Sequence, residues 1–268
     1  MFVPFDESIL KMKEFMKDEV AFSVFYRIID GELDTALMSS EKDMIALNNA
    51  NRSLWLWVSR QLEEETLKLK TDMLARELEF KKIPGVTSFK GTALLFAKTY
   101  SALLGISYKL DMDMKAFFCP KISLPARRSG NLIKATMEHL DIVADFTAGF
   151  LRDGLHDEVT AESQRIPAAK LINGGNLYLH EADGKIVTMA NIAHRASGYA
   201  RINSVYTSPE ERNKGYAGML VTSLCEEIFN EGLIPVLFTD SSNPASNKVY
   251  QRIGFVDCGE IEQYSFIY

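Results

Sequence analysis

Cysteine is scarce: Cys119, Cys225 and Cys258 are the three in 268 residues, widely spaced and in no C-x-x-C pairing. An odd, scattered set supplies neither a disulfide framework nor a zinc or redox motif, so a reducing cytoplasm is the expected setting and no metal is expected. Long apolar runs are missing too, and the opening residues Met1 to Glu7 lack a basic stretch leading into an apolar one. The chain therefore reads as neither exported nor membrane-spanning. A basic excess is also lacking. The formal charge is −6, and residues 131–268 carry 11 Lys and Arg against 18 Asp and Glu. A protein that binds a phosphate backbone needs a cationic face to release counterions, so nucleic acid is not an expected partner. An acidic half would instead steer a cationic amine.

What is present is ordinary for a folded protein: 47% hydrophobic and 25% charged residues, in a chain long enough for two domains. Residues 6–19 have the spacing of an amphipathic helix, with Ile9, Met12, Phe15 and Met16 on one face. Ala21 to Ile29 suits a strand or a continued helix. Leu54 to Val58 is a buried segment, and Gln61 to Glu79 reads as a long charged helix broken at Ile83-Pro84-Gly85-Val86. Ser88 is a candidate cap for a helix ending at Gly105, followed by a strand over Ile106 to Cys119.

Pro120 to Gly130, with two prolines and a Ser-Gly, reads as a linker, giving domains 1–127 and 128–268. Beyond it come a short strand at Leu132 to Ala135 and a helix capped by Thr136 and running through Leu151. Strands follow at Leu177 to Ala182 and Ile186 to Ala193, joined at Asp183-Gly184, with a third at Tyr199 to Tyr206. Helix, antiparallel meander, helix, strand, helix and strand make an α+β pattern, preceded by an α/β N-terminal domain.

The chemistry concentrates between the strand ending at Tyr206 and a helix beginning near Tyr216. There Thr207-Ser208-Pro209-Glu210-Glu211-Arg212-Asn213-Lys214-Gly215-Tyr216-Ala217 combines a helix start, a glycine and two cations. Unpaired N–H groups and the positive end of the dipole make such a turn an anion site, read here as a pyrophosphate cradle. It is no nucleotide P-loop, since no Lys-Ser or Lys-Thr follows the glycine, and it lacks the G-x-G-x-x-G of a Rossmann turn.

Arg212-x-x-Gly215-x-Ala217 on a strand-to-helix turn resembles the acetyl-CoA signature of the GNAT N-acetyltransferase superfamily. Downstream, Val236 to Asp240 leads into Asn243-Pro244-Ala245-Ser246-Asn247-Lys248-Val249-Tyr250-Gln251-Arg252-Ile253-Gly254-Phe255, similar to that superfamily's second half-site. The resemblance covers residues 128–268 and looks closest to bacterial predicted acetyltransferases with an extra N-terminal region. It implies a mixed, mostly antiparallel sheet flanked by helices. It also allows residues 1–127 to be a diverged copy of the fold without a cofactor, since no second R-x-x-G-x-A turn precedes residue 128.

By the same resemblance, the backbone of Val205, Tyr206 and Thr207 would pair with the pantetheine arm of acetyl-CoA. The turn Arg212, Asn213, Lys214, Gly215, Tyr216 and Ala217 would hold the pyrophosphate, Asn243 and Asn247 would touch CoA, and Tyr250 would protonate the departing sulfur. The strand Tyr199 to Tyr206 holds Arg201 and Asn203 where many relatives have a carboxylate, so no general base is assigned; Glu181 and His194 lie on neighbouring strands. Cys225, among Leu220, Leu224 and Ile228, reads as packing. The expected activity is acetyl transfer to an amine of a small molecule or peptide. A CoA-binding scaffold without turnover and an acyltransferase using another acyl-CoA are the alternatives, and the oligomeric state, a homodimer included, stays open.

Overall fold

The computed structural model describes residues 1–123, 130–155 and 157–268. The boundary read at 127/128 and part of its linker lie outside the described residues. In chain order the elements are β1 (Phe2–Pro4), α1 (Lys13–Met16), α2 (Val24–Ile29), β2 (Leu33–Ser39), β3 (Met44–Asn49), β4 (Leu54–Val58), α3 (Glu64–Glu77), β5 (Gly85–Phe89), α4 (Thr92–Leu104) and β6 (Ser107–Phe118). There follow β7 (Asn131–Lys134), α5 (Leu140–Leu155), α6 (Arg165–Asn173), β8 (Leu177–Ala182), β9 (Lys185–Ala196), β10 (Tyr199–Thr207), α7 (Tyr216–Asn230), β11 (Ile234–Asp240), α8 (Pro244–Ile253) and β12 (Val256–Ile267).

Two compact units result. The first comprises Met1–Phe117, Thr239–Ser242 and Asp257–Tyr268; the second comprises Phe118–Phe238 and Asn243–Val256. In the first, strands lie in the order β1-β2-β3-β4-β5-β12-β6; in the second, β11-β10-β9-β8-β7. Both are mostly antiparallel sheets flanked by helices, the α+β class expected. Each unit also uses the same succession. One strand and a helical segment precede three antiparallel strands, and a helix then crosses over to a parallel strand (β4 to β5, β10 to β11). The final strand, β12, pairs with β5 of the first unit, from Ile261↔Phe89 to Ser265↔Gly85.

Local chemistry accounts for the regular parts. Asp183 (φ +50°) and Gly184 (φ +73°) take the left-handed conformation that a two-residue hairpin needs, so Ala182 faces Lys185 and β8 is locked against β9. Gly105 ends α4 in the left-handed conformation. In the first unit Leu54, Leu56, Val86, Leu74, Phe96 and Tyr100 are buried together. In the second, Val143, Phe146, Leu179, Met189, Ile172 and Tyr206 form the core, which places the end of β10 against α5.

Several expectations change. The helix expected over residues 6–19 is instead a 3-10 turn, Glu7–Lys11, followed by the single turn of α1. The segment read as a strand or helix at 21–29 is helical from Val24. Ser88 caps nothing: it lies inside β5, and α4 starts after Gly91. Pro84-Gly85 reads as a breaker but opens a strand, because the tertiary partners Leu54 and Tyr264 pair with Val86 across the sheet. Thr136 is the N-cap as expected, its N–H donating to His139 Nδ1 at 3.0 Å, but of a 3-10 turn, Met137–His139, that runs into α5; α6 was not anticipated.

Candidate active site

β10 and β11 pair in parallel from Tyr199↔Ile234 to Ile202↔Leu237. On its other side β10 pairs with β9 in an irregular register: Asn203 faces Asn191 and the next partner is Tyr206↔Met189, so Ser204 (φ +51°) and Val205 occupy a bulge. Bulged backbone carries N–H and C=O groups that the ladder no longer satisfies. Immediately beyond, Thr188 Oγ1 donates to the Tyr206 carbonyl at 2.6 Å and Thr207 Oγ1 to Thr188 Oγ1 at 3.0 Å, tying down the end of the strand.

The turn after β10 is a 3-10 segment, Pro209–Glu211, then Arg212, Asn213 (φ +64°) and Lys214, and α7 starts after Gly215 (φ +88°). No side chain caps α7, and its first intrahelical bond runs from the Met219 N–H to the Gly215 carbonyl at 3.0 Å. The N–H groups of Tyr216, Ala217 and Gly218 therefore lack helical partners and sit at the positive end of a 15-residue helix. A Cβ built on Gly215 meets nothing within 4 Å, so the space before this helix start is open. The arrangement fits an anionic group.

The cations of the turn are each paired. Lys214 bonds Glu211 at 2.7 Å. The Arg212 guanidinium donates through Nε to the Thr207 carbonyl at 3.1 Å and through Nη2 to the Asp153 carboxylate of α5, and it lies 5.4 Å over the Tyr206 ring. Asp153 in turn holds the Arg212 pKa above its usual value, and burial raises that of Tyr206. Tyr216 packs its ring 5.6 Å from His180.

The second cluster forms α8. Asn243 is its N-cap, accepting from the Ser246 N–H at 3.1 Å, and Asn247 is on the first turn. The cap role occupies the Asn243 carbonyl oxygen. Val249 lies 3.6 Å from the Cβ position of Gly218, so α8 packs against the first turn of α7. Next to it, Tyr250 is buried against Phe255 with ring centroids 5.8 Å apart, and burial pushes its phenol well above the usual range. Of the two residues weighed as bases, Glu181 accepts from Asn131 at 3.2 Å and His194 faces Arg201 across β9 and β10; Asn203, in the place of a carboxylate, accepts from Asn191 at 2.9 Å. Cys225 is fully buried, as read.

The sequence did not point to Asp153, which is a single carboxylate on a helix and gains meaning only from Arg212.

The topologically matched place in the first unit is closed. Beyond the parallel pairs Leu54↔Val86 and Trp55↔Thr87, Ser88 Oγ donates to the Leu56 carbonyl at 2.6 Å, bridging β5 to β4. The helix between these strands, α3, has Glu63 at its N-cap and Glu64 and Glu65 in its first turn, a charge that repels anions. A cavity of 380 Å³ in this unit is lined by Glu14, Lys17, Asp18, Arg60, Gln61 and Cys258. Its two cations are paired, Lys17 with Glu14 and Arg60 with Asp18.

Residues 141–255 match the Acetyltransferase (GNAT) family. A UPF0039 protein of Schizosaccharomyces pombe is 30% identical over 86 residues, 32% of this chain, and the match spans 57% of that protein's length. An acetyltransferase of the GNAT family from Colwellia psychrerythraea is similar over 100% of both chains, with a TM-score of 0.56 at 16% identity. A GCN5-related N-acetyltransferase from Sphaerobacter thermophilus covers 98% of this chain and 94% of its own, with a TM-score of 0.62 at 14% identity. These structures share the fold along the whole chain. No helix among the described residues is long and apolar enough to cross a membrane.

Proposed function

We propose that residues 128–268 transfer an acetyl group from acetyl-CoA to an amine of a small molecule or peptide by direct attack. The observation that supports this best is the succession of a bulged strand end, an open glycine turn and an uncapped helix start. In this reading the backbone of Val205, Tyr206 and Thr207 meets the amides of the pantetheine arm. The N–H groups from Arg212 to Ala217 hold the pyrophosphate, and Asn243 and Asn247 flank the arm from α8. Acetyl-CoA supplies the activated acyl carbon.

The chain contributes position and polarisation, which place amine and thioester in reach and favour the charge that develops on transfer. Tyr250 Oη donates its proton to the leaving sulfur. Burial keeps the phenol protonated and also makes it a weaker acid, so the donation depends on the same buried site disfavouring the free thiolate. With no carboxylate on β10, the amine loses its proton to solvent. The acidic balance of residues 131–268 suits a cationic acceptor, and the buried thiols Cys119 and Cys225 suit a reducing cytoplasm.

Thiol release from acetyl-CoA by the full chain, over a panel of small amines and peptide N-termini, tests the reading. Acceptor-dependent release is the expected result. CoA binding without release on any acceptor would favour a scaffold, and release only from longer acyl-CoA would change the donor.

A further inference from the structure

We infer that Asp153, near the C-terminal end of α5, is a positioning residue for the acyl-CoA cradle and acts through Arg212, an inference that rests on the acyl-CoA reading above. Three polar connections meet here. Arg212 Nη2 bonds the Asp153 carboxylate, Arg212 Nε bonds the Thr207 carbonyl at 3.1 Å, and the Tyr206 hydroxyl lies 3.5 Å from Asp153 Oδ2. The guanidinium also covers the Tyr206 ring. A planar fork that spans two acceptors holds them in one relative geometry, which a single point charge does not.

The consequence lies in the turn. Residues 207–212 are closed on themselves by the bond from Arg212 to the Thr207 carbonyl and tied to α5 through Asp153, so the chain enters Asn213 and Gly215 from one direction and the N–H groups at the start of α7 are arranged before an anion arrives. Ordering that segment only on binding would weaken affinity. A carboxylate beside a diphosphate site also repels it unless its charge is cancelled, and Arg212 cancels it. Arg212 is thus committed to the protein: it shapes the cradle, and the backbone N–H groups hold the ligand.

The first unit holds a comparable pair. Arg60, two residues after β4, bonds Asp18 at 2.9 Å, next to an anion-repelling helix start. That pair is an internal control for a purely structural effect.

The experiment is calorimetric titration of the full chain with CoA, alongside Tm, for the parent, Asp153→Ala, Asp153→Asn, Asp153→Glu, Arg212→Ala and the Asp153→Ala/Arg212→Ala double variant. Asp153→Ala is expected to weaken CoA binding about threefold to tenfold, as for one member of a coupled polar network. Asp153→Glu should restore part of it, and Asp153→Ala should add nothing further once Arg212 is Ala. Arg60→Ala should lower Tm and leave CoA affinity unchanged. Unchanged or tighter binding in Asp153→Ala, or an equal loss in the Arg212→Ala background, overturns the inference. Asp153→Asn, which keeps the shape, decides the matter if the Ala variant does not fold: parent-like affinity there overturns it. A parent that binds no CoA removes the functional reading and this inference together, whereas a parent that binds beside insensitive variants removes the inference alone.

Discussion

Gly149 of α5 lies directly against the hydroxyl of Tyr206 of β10: a Cβ at residue 149 would stand 2.2 Å from that oxygen. The ring of Tyr206 also packs on Phe146 at 5.5 Å, so the end of β10 is seated in a groove that only glycine leaves open. Gly149→Ala is therefore expected to destabilise the protein by about 1–3 kcal/mol through overpacking, with CoA affinity falling as the strand end moves. Denaturant unfolding and CoA titration check this. A variant with parent stability would mean the helix shifts freely, and the seat of β10 is then not rigid.

Gly215→Val tests the cradle itself. The residue holds φ +88° with open space around it, so a branched side chain meets strained backbone and projects into the volume an anion would use. CoA affinity should fall at least about tenfold, the equivalent of ~1.4 kcal/mol, with the far-ultraviolet dichroism of the parent retained. Near-parent affinity would reduce this segment to an ordinary turn.

Tyr250→Phe removes one hydroxyl and leaves the buried ring against Phe255. If the phenol is the general acid, kcat should drop by roughly 10² to 10⁴ while CoA affinity holds. Since burial raises its pKa, the phenol stays protonated across the ordinary assay range, and an alkaline fall of kcat below pH 10 should persist unchanged in the variant. A kcat loss under about threefold with chemistry rate-limiting assigns Tyr250 to packing.

Alkaline stability carries a sign that can be worked out at Tyr178. Burial first, and its hydrogen bond to Glu227 second, push this phenol up to about 12. Its folded pKa exceeds the unfolded value of ~10, so the stabilisation is complete below about pH 10 and is lost as pH rises towards 12. Urea midpoints measured from pH 8 to 11.5 should decline above 10 in the parent, and Tyr178→Phe should flatten part of that decline. An identical slope in the variant would place the effect elsewhere.

Stoichiometry separates the two units. With Ser88 bridging β5 to β4 and three glutamates at the start of α3, the crossover of the first unit disfavours an anion, and one CoA per chain is expected by titration. Two equivalents of bound CoA would show that the first unit opens.

What could be read along the chain is what depends on near neighbours. Asp183-Gly184 demands left-handed backbone within two residues, the spacing of Leu220, Leu224, Cys225 and Ile228 reports one buried helix face, and Gly215 before Tyr216 marks a helix start whose N–H groups need a partner. The succession of elements in residues 128–268 and the α+β class followed from those signals. The pairing of distant segments did not. Ser88 has the chemistry of a helix cap, yet Leu54 and Tyr264 draw the segment around Val86 into the sheet, and the hydroxyl becomes a bridge to Leu56. β12 joins β5, 172 residues away at Ile261↔Phe89, through backbone hydrogen bonds that carry no residue-type signature. The candidate site divides in the same way: Arg212 and Gly215 were legible because local turn and helix chemistry marks them, and Tyr250 only through the family resemblance. Asp153 and Gly149 were not, because a carboxylate that orients an arginine and a glycine that admits a tyrosine are defined only by what the fold sets against them.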